Sequence, residues 1–189
     1  MKKILFKVAC CFLLGVTELH AQTDDEMKAW QNYMTPGEPH QMLAKASGEW
    51  TQEITMWMDP GTAPTKTTTT AIYEMIMGGR YQVSKTTGDM MGMPFEGMSI
   101  TGYDNSKKLY STTWIDNFGT GIMLLEGPWD EANKTIDMKG KGLDPTTGKE
   151  ILMRQVIKFI GNDTQEIAMY DNKNGTEVKM MEIKSTRKK

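Results

Sequence analysis

The feature that most limits how this chain can fold is Gly48-Glu49-Trp50, because it opens a long stretch of strand-like sequence. From Trp50 to Met58 apolar residues alternate with polar ones, which is typical of a strand with one buried face. Further strand-like segments follow at 67–77, 80–87, 95–103, 109–116, 119–129, 135–142, 151–160, 165–170 and 177–186. The chain therefore predicts a sheet protein of about ten strands.

Short segments rich in Gly, Asn and Asp separate these strands and suit tight hairpin turns. They lie at 78–79, 104–105, 130–134, 144–148, 161–163 and 172–175. Short connections make neighbouring strands antiparallel, and a meander of this kind closes most simply into an up-and-down β-barrel, which has no free edges. Because alternation does not reveal closure, a two-sheet sandwich is the alternative.

The region before the strands has a helical pattern that is interrupted at residues 35–39 by two prolines. We expect either two short helices or a frayed arm followed by one short helix. The predicted organisation is a leader over residues 1–21, an N-terminal arm with a short helical segment over 22–46, and a barrel domain over 47–189.

The leader has lysines before an apolar run and ends at Ala21, as in a secretory signal peptide. We therefore expect an exported protein, periplasmic or extracellular, with no membrane span. Both cysteines, Cys10 and Cys11, lie inside this leader, so its removal would leave no thiol and no disulfide. A lipid anchor on Cys10 is the competing interpretation. The chain is mildly acidic, with 24 acidic and 22 basic residues, which speaks against nucleic acid as a partner.

Several motifs together resemble a family of exported bacterial lipocalin-like (calycin) barrels of the DUF1579 type. They are Gly48-x-Trp50, Met56-Trp57-Met58-Asp59-Pro60-Gly61, Met77-Gly78-Gly79-Arg80, Gly92-Met93-Pro94-Phe95-Glu96-Gly97, Gly102-Tyr103-Asp104, Trp114-Ile115-Asp116-Asn117 and a closing Arg187. The resemblance implies a calycin barrel and no particular activity. It also implies that Gly48 and Trp50 start the barrel and that Arg187 lies over the Trp50 ring, a structural closure of one barrel end.

Catalytic and metal chemistry have few candidate residues in this chain. His40 is the one histidine after the leader, so an imidazole or thiolate zinc site is excluded, and haem would depend on His40 or on methionine. We expect no cofactor. An enzyme working through paired interior carboxylates, with Asp116 as the leading candidate, is one alternative function.

Methionine is unusually frequent, with 18 residues in the chain. Thioethers bind Cu(I), so a copper site formed by Met90, Met91 and Met93 is another alternative. Because most of the methionines alternate with polar residues along strands, we interpret them as an adaptable apolar lining.

The predicted function is the binding of a small, mainly apolar molecule inside the barrel, with a purely structural partner role as a further alternative. Aromatic rings with polar tips, one methionine and two charged groups are the candidate ligand-binding residues. They are Tyr73, Tyr81, Met98, Tyr103, Tyr110, Trp114, Asp116, Arg154 and Tyr170. The alternation of residues around Arg154 fits an inward and an outward orientation equally well. The oligomeric state is not predicted.

Overall fold

The computed structural model describes residues 24–58, 61–173 and 175–189, and the predicted leader lies outside them. Two helices come first, α1 (Asp24–Met34) and α2 (Glu38–Ala44). The strands are β1 (Gly48–Met56), β2 (Thr65–Ile76), β3 (Tyr81–Met90), β4 (Met93–Asp104), β5 (Leu109–Asp116), β6 (Met123–Gly127), β7 (Trp129–Asp130), β8 (Thr135–Leu143), β9 (Glu150–Phe159), β10 (Thr164–Lys173) and β11 (Thr176–Arg187). Two short helices are thus the form that the predicted helical segment takes.

The strands form one closed antiparallel ring. Strands β1 to β6 pair in chain order, β8 to β11 do the same, and β1 pairs with β11. A pairing between β6 and β8 closes the ring at ten strands, and the two-residue strand β7 pairs with β8 beside this seam. The predicted all-β antiparallel barrel of about ten strands is confirmed, and the sandwich alternative is excluded by the closure.

The predicted strand over 119–129 is wrong in its extent. The structure has β6 over Met123–Gly127 and a separate β7 over Trp129–Asp130, while residues 117–122 form a loop. Pro128 separates the two strands because it has no N–H to donate to a neighbouring strand. Its carbonyl oxygen still accepts a hydrogen bond from the Asp137 N–H at 3.3 Å.

Two glycines allow the seam between β6 and β8 to close. A Cβ atom added to Gly127 would lie 1.8 Å from the carbonyl oxygen of Asp137, and one added to Gly140 would lie 2.1 Å from that of Leu124. The opposing atoms belong to the backbone, so they cannot move aside as the end of a flexible side chain can. The two strands therefore approach each other at a distance that only glycine permits.

Helix α2 covers one end of the barrel. Leu43 is 3% exposed and His40 is also buried, and the Leu43 carbonyl oxygen accepts a hydrogen bond of 2.6 Å from Gln82 Nε2 on β3. Helix α1 has no buried residue. It is held at its C-terminal end by Asn105 Nδ2, which donates to the carbonyl oxygens of Asn32 and Tyr33. Neither described helix has the length and apolar character needed to cross a membrane.

A contact between the first and last strands seals the same end. Trp50 on β1 is 2% exposed, and the Arg187 guanidinium carbon on β11 lies 4.4 Å from its ring centroid. Arg187 also donates to the carbonyl oxygens of Ser47 and Lys45 and, at 2.9 Å, to Asp163 Oδ1.

Gly48 leaves room for the Arg187 side chain because it has no side chain of its own. It has a φ of +122°, and a Cβ atom there would lie 3.1 Å from Arg187 Nη1. Trp50 Nε1 donates to the Ala46 carbonyl oxygen at 2.8 Å, which attaches the end of α2 to the barrel. The residues of the Gly-x-Trp motif and Arg187 therefore act as one structural unit, which we call the clasp (Gly48, Trp50 and Arg187).

We expect Gly140→Ala to lower the free energy of unfolding by about 2–4 kcal/mol, or to prevent folding, because the new methyl group would meet the Leu124 backbone. Gly161→Ala is the matched control, since a Cβ atom there would have no neighbour within 4 Å in the part of the chain that the structure describes. Urea unfolding of both variants checks this. Equal stability of the two variants would contradict the role of Gly140 in the seam.

We expect Arg187→Lys to lower the free energy of unfolding by about 2–4 kcal/mol, because lysine cannot cover the Trp50 ring and donate to several carbonyl groups at once. Arg154→Lys on the barrel exterior should lower it by less than about 1 kcal/mol, since its ion pair with Asp137 is partly exposed. Chemical unfolding of both variants gives the comparison. A smaller loss for Arg187→Lys than for Arg154→Lys would show that the clasp is dispensable.

Candidate functional site

The barrel interior contains a cavity of about 590 Å³. It lies between the inward side chains of the strands and extends to the end opposite α2, where the β3–β4 turn, the β5–β6 loop and the β8–β9 loop meet. Several side chains that line it there are exposed, including Phe118 at 41%, Ile122 at 73% and Leu143 at 71%. This end is therefore the mouth of the cavity, with an apolar rim.

The cavity walls are rich in sulfur and in aliphatic and aromatic carbon. Among the described residues seven methionines line it: Met56, Met90, Met91, Met123, Met153, Met169 and Met181. Phe95 is buried and packs with Met56, Met90 and Ile54 in one hydrophobic cluster. Because methionine is unbranched and adaptable, such walls can fit apolar molecules of more than one shape.

A hydrogen-bonded group of neutral side chains lies on the wall deeper in the barrel. The Tyr73 hydroxyl accepts hydrogen bonds from Gln52 Nε2 at 3.3 Å and from Gln165 Nε2 at 3.4 Å. Gln52 Oε1 accepts in turn from the Thr69 hydroxyl at 3.1 Å. Burial raises the pKa of Tyr73 to about 12, so its hydroxyl stays protonated through the neutral range.

Paired hydroxyl groups continue this neutral surface. Ser84 and Ser99 share a hydrogen bond of 2.8 Å between β3 and β4, and Thr101 and Thr112 share one of 2.8 Å between β4 and β5. All four line the cavity. Their hydrogen bonds to each other make it possible to place polar groups in a partly apolar interior.

Asp116 stabilises the mouth of the cavity. Its Oδ2 accepts a hydrogen bond of 2.6 Å from Trp114 Nε1, and its Oδ1 accepts from the N–H groups of Phe118 and Gly119 at 2.9 and 3.1 Å. Trp114 stacks on Phe95 with a centroid distance of 6.4 Å. The carboxylate therefore orients the indole ring and fixes the backbone at the start of the β5–β6 loop.

A second pocket, of about 820 Å³, lies at the other end of the barrel between α2 and the turns beside β7 and β9. Tyr103 and Tyr110 line it, with their ring centroids 4.9 Å apart. Tyr110 is 1% exposed, and burial raises the pKa of its hydroxyl, which donates to the Pro39 carbonyl oxygen at 3.4 Å. These tyrosines therefore contact α2 from the barrel side.

Comparison with known proteins supports the fold seen here. A family model described as "Protein of unknown function (DUF1579)" matches residues 35–187. The chain belongs to the DUF1579 family. The comparison with curated proteins gives no match.

Among solved structures, this DUF1579 barrel is similar to the crystal structure of Rv2717c from M. tuberculosis, with a TM-score of 0.56 and 13% sequence identity. The match covers 82% of this chain and all of the other one. At that identity the likeness shows a shared fold alone.

The sequence-predicted ligand residues of this DUF1579 protein fall into three groups. Tyr73, Trp114 and Asp116 line the interior cavity. Tyr103 and Tyr110 line the second pocket under α2. The remaining four, which are Tyr81, Met98, Arg154 and Tyr170, line neither space.

Strand alternation explains why those four do not belong to the cavity wall. Ser99 lines the cavity, so Met98 beside it on β4 points the other way. Arg154 lies between the lining residues Met153 and Gln155, and its guanidinium pairs with Asp137 at 2.8 Å on the outer face. Arg154 therefore has the outward orientation, and Tyr170 lies under its guanidinium at 5.4 Å.

Tyr81 is at the start of β3, on the outer surface of the DUF1579 barrel, and is 41% exposed. A Cβ atom at Gly102, its cross-strand partner on β4, would lie 2.7 Å from the Tyr81 ring. The ring therefore covers a glycine of the neighbouring strand instead of the cavity.

The structure bears on the two alternative hypotheses, a catalytic pair of carboxylates and a metal site. Asp116 is the one carboxylate among the described residues that line the interior cavity, so a second acid for a catalytic pair is not found there. No group of three His, Cys, Asp or Glu side chains in the described part of the chain is arranged to hold a metal ion.

His40, the candidate for haem, lies outside both cavities. Its Nδ1 accepts a hydrogen bond of 3.0 Å from the Gly37 N–H, and burial lowers its pKa.

The three methionines proposed for Cu(I) have unequal surroundings in this DUF1579 member. Met90 is 6% exposed and packs in the core, whereas Met91 and Met93 are half exposed. Met91 and Gly92 form a tight hairpin turn with φ values of 57° and 77°.

Sequence reasoning missed the neutral polar residues that face the cavity. Gln52, Gln82, Gln155 and Gln165 all line it. The signal was present in the alternation: Gln155 lies two residues from both Met153 and Ile157, and all three share one face of β9. The pattern alone left open which face of that strand was the inner one.

We expect alkaline pH to test the buried state of Tyr73. Its folded-state pKa of about 12 lies above the ordinary tyrosine value of 10.0, so the unfolded chain releases this proton first and stability falls as pH rises from 10 towards 12. Tyr73→Phe should lose about 1 kcal/mol at neutral pH through its missing hydrogen bonds, yet show a shallower decline in this alkaline window. Urea unfolding across the pH range measures both. Parallel declines for the two proteins would show that Tyr73 ionises freely.

Proposed function

We propose that this DUF1579 barrel binds a small, mainly apolar molecule in its interior cavity. The observation that carries the proposal is the interior space of about 590 Å³, open at one end, with methionine, isoleucine and aromatic walls. Cavities of about 300–1,000 Å³ lined mainly by apolar side chains are the usual form of small-molecule sites. A barrel filled by its own side chains would have no such space.

The geometry of the two ends supports entry from one direction. The clasp and α2 seal one end of the barrel, where Trp50 and Leu43 are almost fully buried. The other end has exposed apolar side chains, among them Ile122 and Leu143, that also line the cavity. A ligand would therefore enter between the β5–β6 and β8–β9 loops, and the apolar rim would lower the cost of moving it out of water.

The composition of the cavity wall supports binding of ligands that differ in shape. Met153, Met169 and Met181 belong to three successive strands, β9 to β11, and line the same cavity. Thioether side chains change rotamer readily and are polarisable, so the same wall can make close contact with different apolar surfaces. We infer a site with broad selectivity among small hydrophobic molecules.

We propose in addition that the barrel acts outside the cytoplasm. The leader predicted over residues 1–21 would direct the barrel out of the cytoplasm, and both cysteines of the chain lie within it. A barrel without thiols would then work in an oxidising compartment without forming disulfides.

We expect the purified protein to bind N-phenylnaphthylamine, an uncharged fluorescent probe of apolar cavities, with an increase in fluorescence that saturates at one site. Met181→Trp should weaken this binding by about tenfold or more, because the larger ring fills part of the cavity. Glu182→Trp is the matched control, since this neighbouring side chain on β11 pairs with Lys179 and does not line the cavity. Fluorescence titration gives the affinities, and circular dichroism checks that both variants fold.

Two outcomes would count against the proposal. Absence of saturable binding to the wild-type protein would remove its basis. Equal loss of affinity in Met181→Trp and Glu182→Trp would place the probe outside the barrel.

A further inference from the structure

The charge of the cavity wall restricts what can bind in it. Among the described lining residues only Asp116 and Lys141 carry charge. Both belong to the mouth, and both have partners: Asp116 holds Trp114 and the β5–β6 loop, and Lys141 pairs with Glu150 at 2.9 Å. The deeper wall has no described cation that could neutralise an acidic ligand.

The polar groups of the deeper wall are amides and hydroxyls. Most are already paired: Gln52 and Gln165 with Tyr73, Gln82 with the Leu43 carbonyl oxygen, Ser84 with Ser99, and Thr101 with Thr112. Such groups can hydrogen-bond to a neutral polar ligand atom. They cannot offset the loss of hydration of a buried carboxylate, which requires a cation or several charge-assisted donors.

Gln155 differs from the other glutamines of the wall. It lines the cavity from β9, and its side chain makes no hydrogen bond within the described part of the chain. Its cross-strand partners are Met138 on β8 and Met169 on β10, both apolar. The Gln155 amide is therefore a polar group in sulfur-rich surroundings, with one acceptor and two donor hydrogens available to a guest.

We propose that the cavity selects apolar molecules with an uncharged polar head, such as an amide, alcohol, ketone or ester, and that the Gln155 amide hydrogen-bonds that head. The proposal rests on the proposed ligand-binding function and adds its substrate class. It distinguishes this barrel from one that would hold a fatty acid by its carboxylate, for which an inward-facing arginine such as Arg154 would be needed. Arg154 is on the outer face and is already paired with Asp137 and Glu177.

The test uses two competitors of almost equal size and shape, dodecanamide and dodecanoate, against bound N-phenylnaphthylamine at about pH 8, where the carboxylate is ionised. Dodecanamide should displace the probe at a concentration about tenfold or more below that of dodecanoate, because only the amide enters without burying a charge. Equal potency, or a preference for dodecanoate, would overturn the proposal. Because the probe itself is uncharged, its saturable binding reports on the proposed function separately.

The role of Gln155 has its own variant. Gln155→Met keeps an unbranched side chain of similar length but removes the amide, so it should weaken dodecanamide binding by about fivefold to tenfold relative to probe binding. Gln31→Met makes the same chemical change on the exposed helix α1 and should alter neither affinity. Unchanged dodecanamide affinity in Gln155→Met would show that another group binds the head.

Discussion

The contact of Arg187 with Trp50 is the interaction on which the rest of this structure depends. One guanidinium lies over the indole ring, caps two carbonyl groups after α2 and pairs with Asp163 in the β9–β10 turn. It thereby connects the first strand, the last strand, the helix and a turn at one end of the barrel. The opposite end, beside the β5–β6 and β8–β9 loops, is the mouth of the cavity.

The closed ring then sets the chemistry of the interior. Antiparallel pairing connects the strands round the barrel, with a single paired position at the seam between β6 and β8, and the inward side chains line a cavity. Polar residues that enter this space bond to each other, as Ser84 does with Ser99 and Thr101 with Thr112. What remains is an adaptable apolar wall with neutral polar groups, a combination suited to uncharged amphiphilic molecules.

The alternation of apolar and polar residues predicted most of the strands correctly. Predicted strands such as 109–116 and 135–142 agree with β5 and β8 to within one residue, because side chains on opposite faces of a half-buried strand differ in polarity. The prediction was wrong at 119–129, where Pro128 breaks the ladder between β6 and β7. It also included Met98 and Tyr170 in the ligand site, since aromatic and sulfur-containing side chains are equally compatible with both faces of a barrel.

The amino-acid sequence by itself determined the strand-and-turn order and the helical arm, because these depend on local periodicity and on turn chemistry, whereas the residues of the clasp followed from the resemblance to a known family. Only the tertiary structure decided that the ring closes at Gly127 and Gly140, that Arg154 faces outward, and that Gln155 and Asp116 line one cavity. These facts depend on the curvature of the sheet and on pairings between residues far apart in the chain. The two-residue alternation of a strand specifies neither the curvature of the sheet nor these distant pairings. The alternation is the same whichever face of the strand becomes the interior of the barrel.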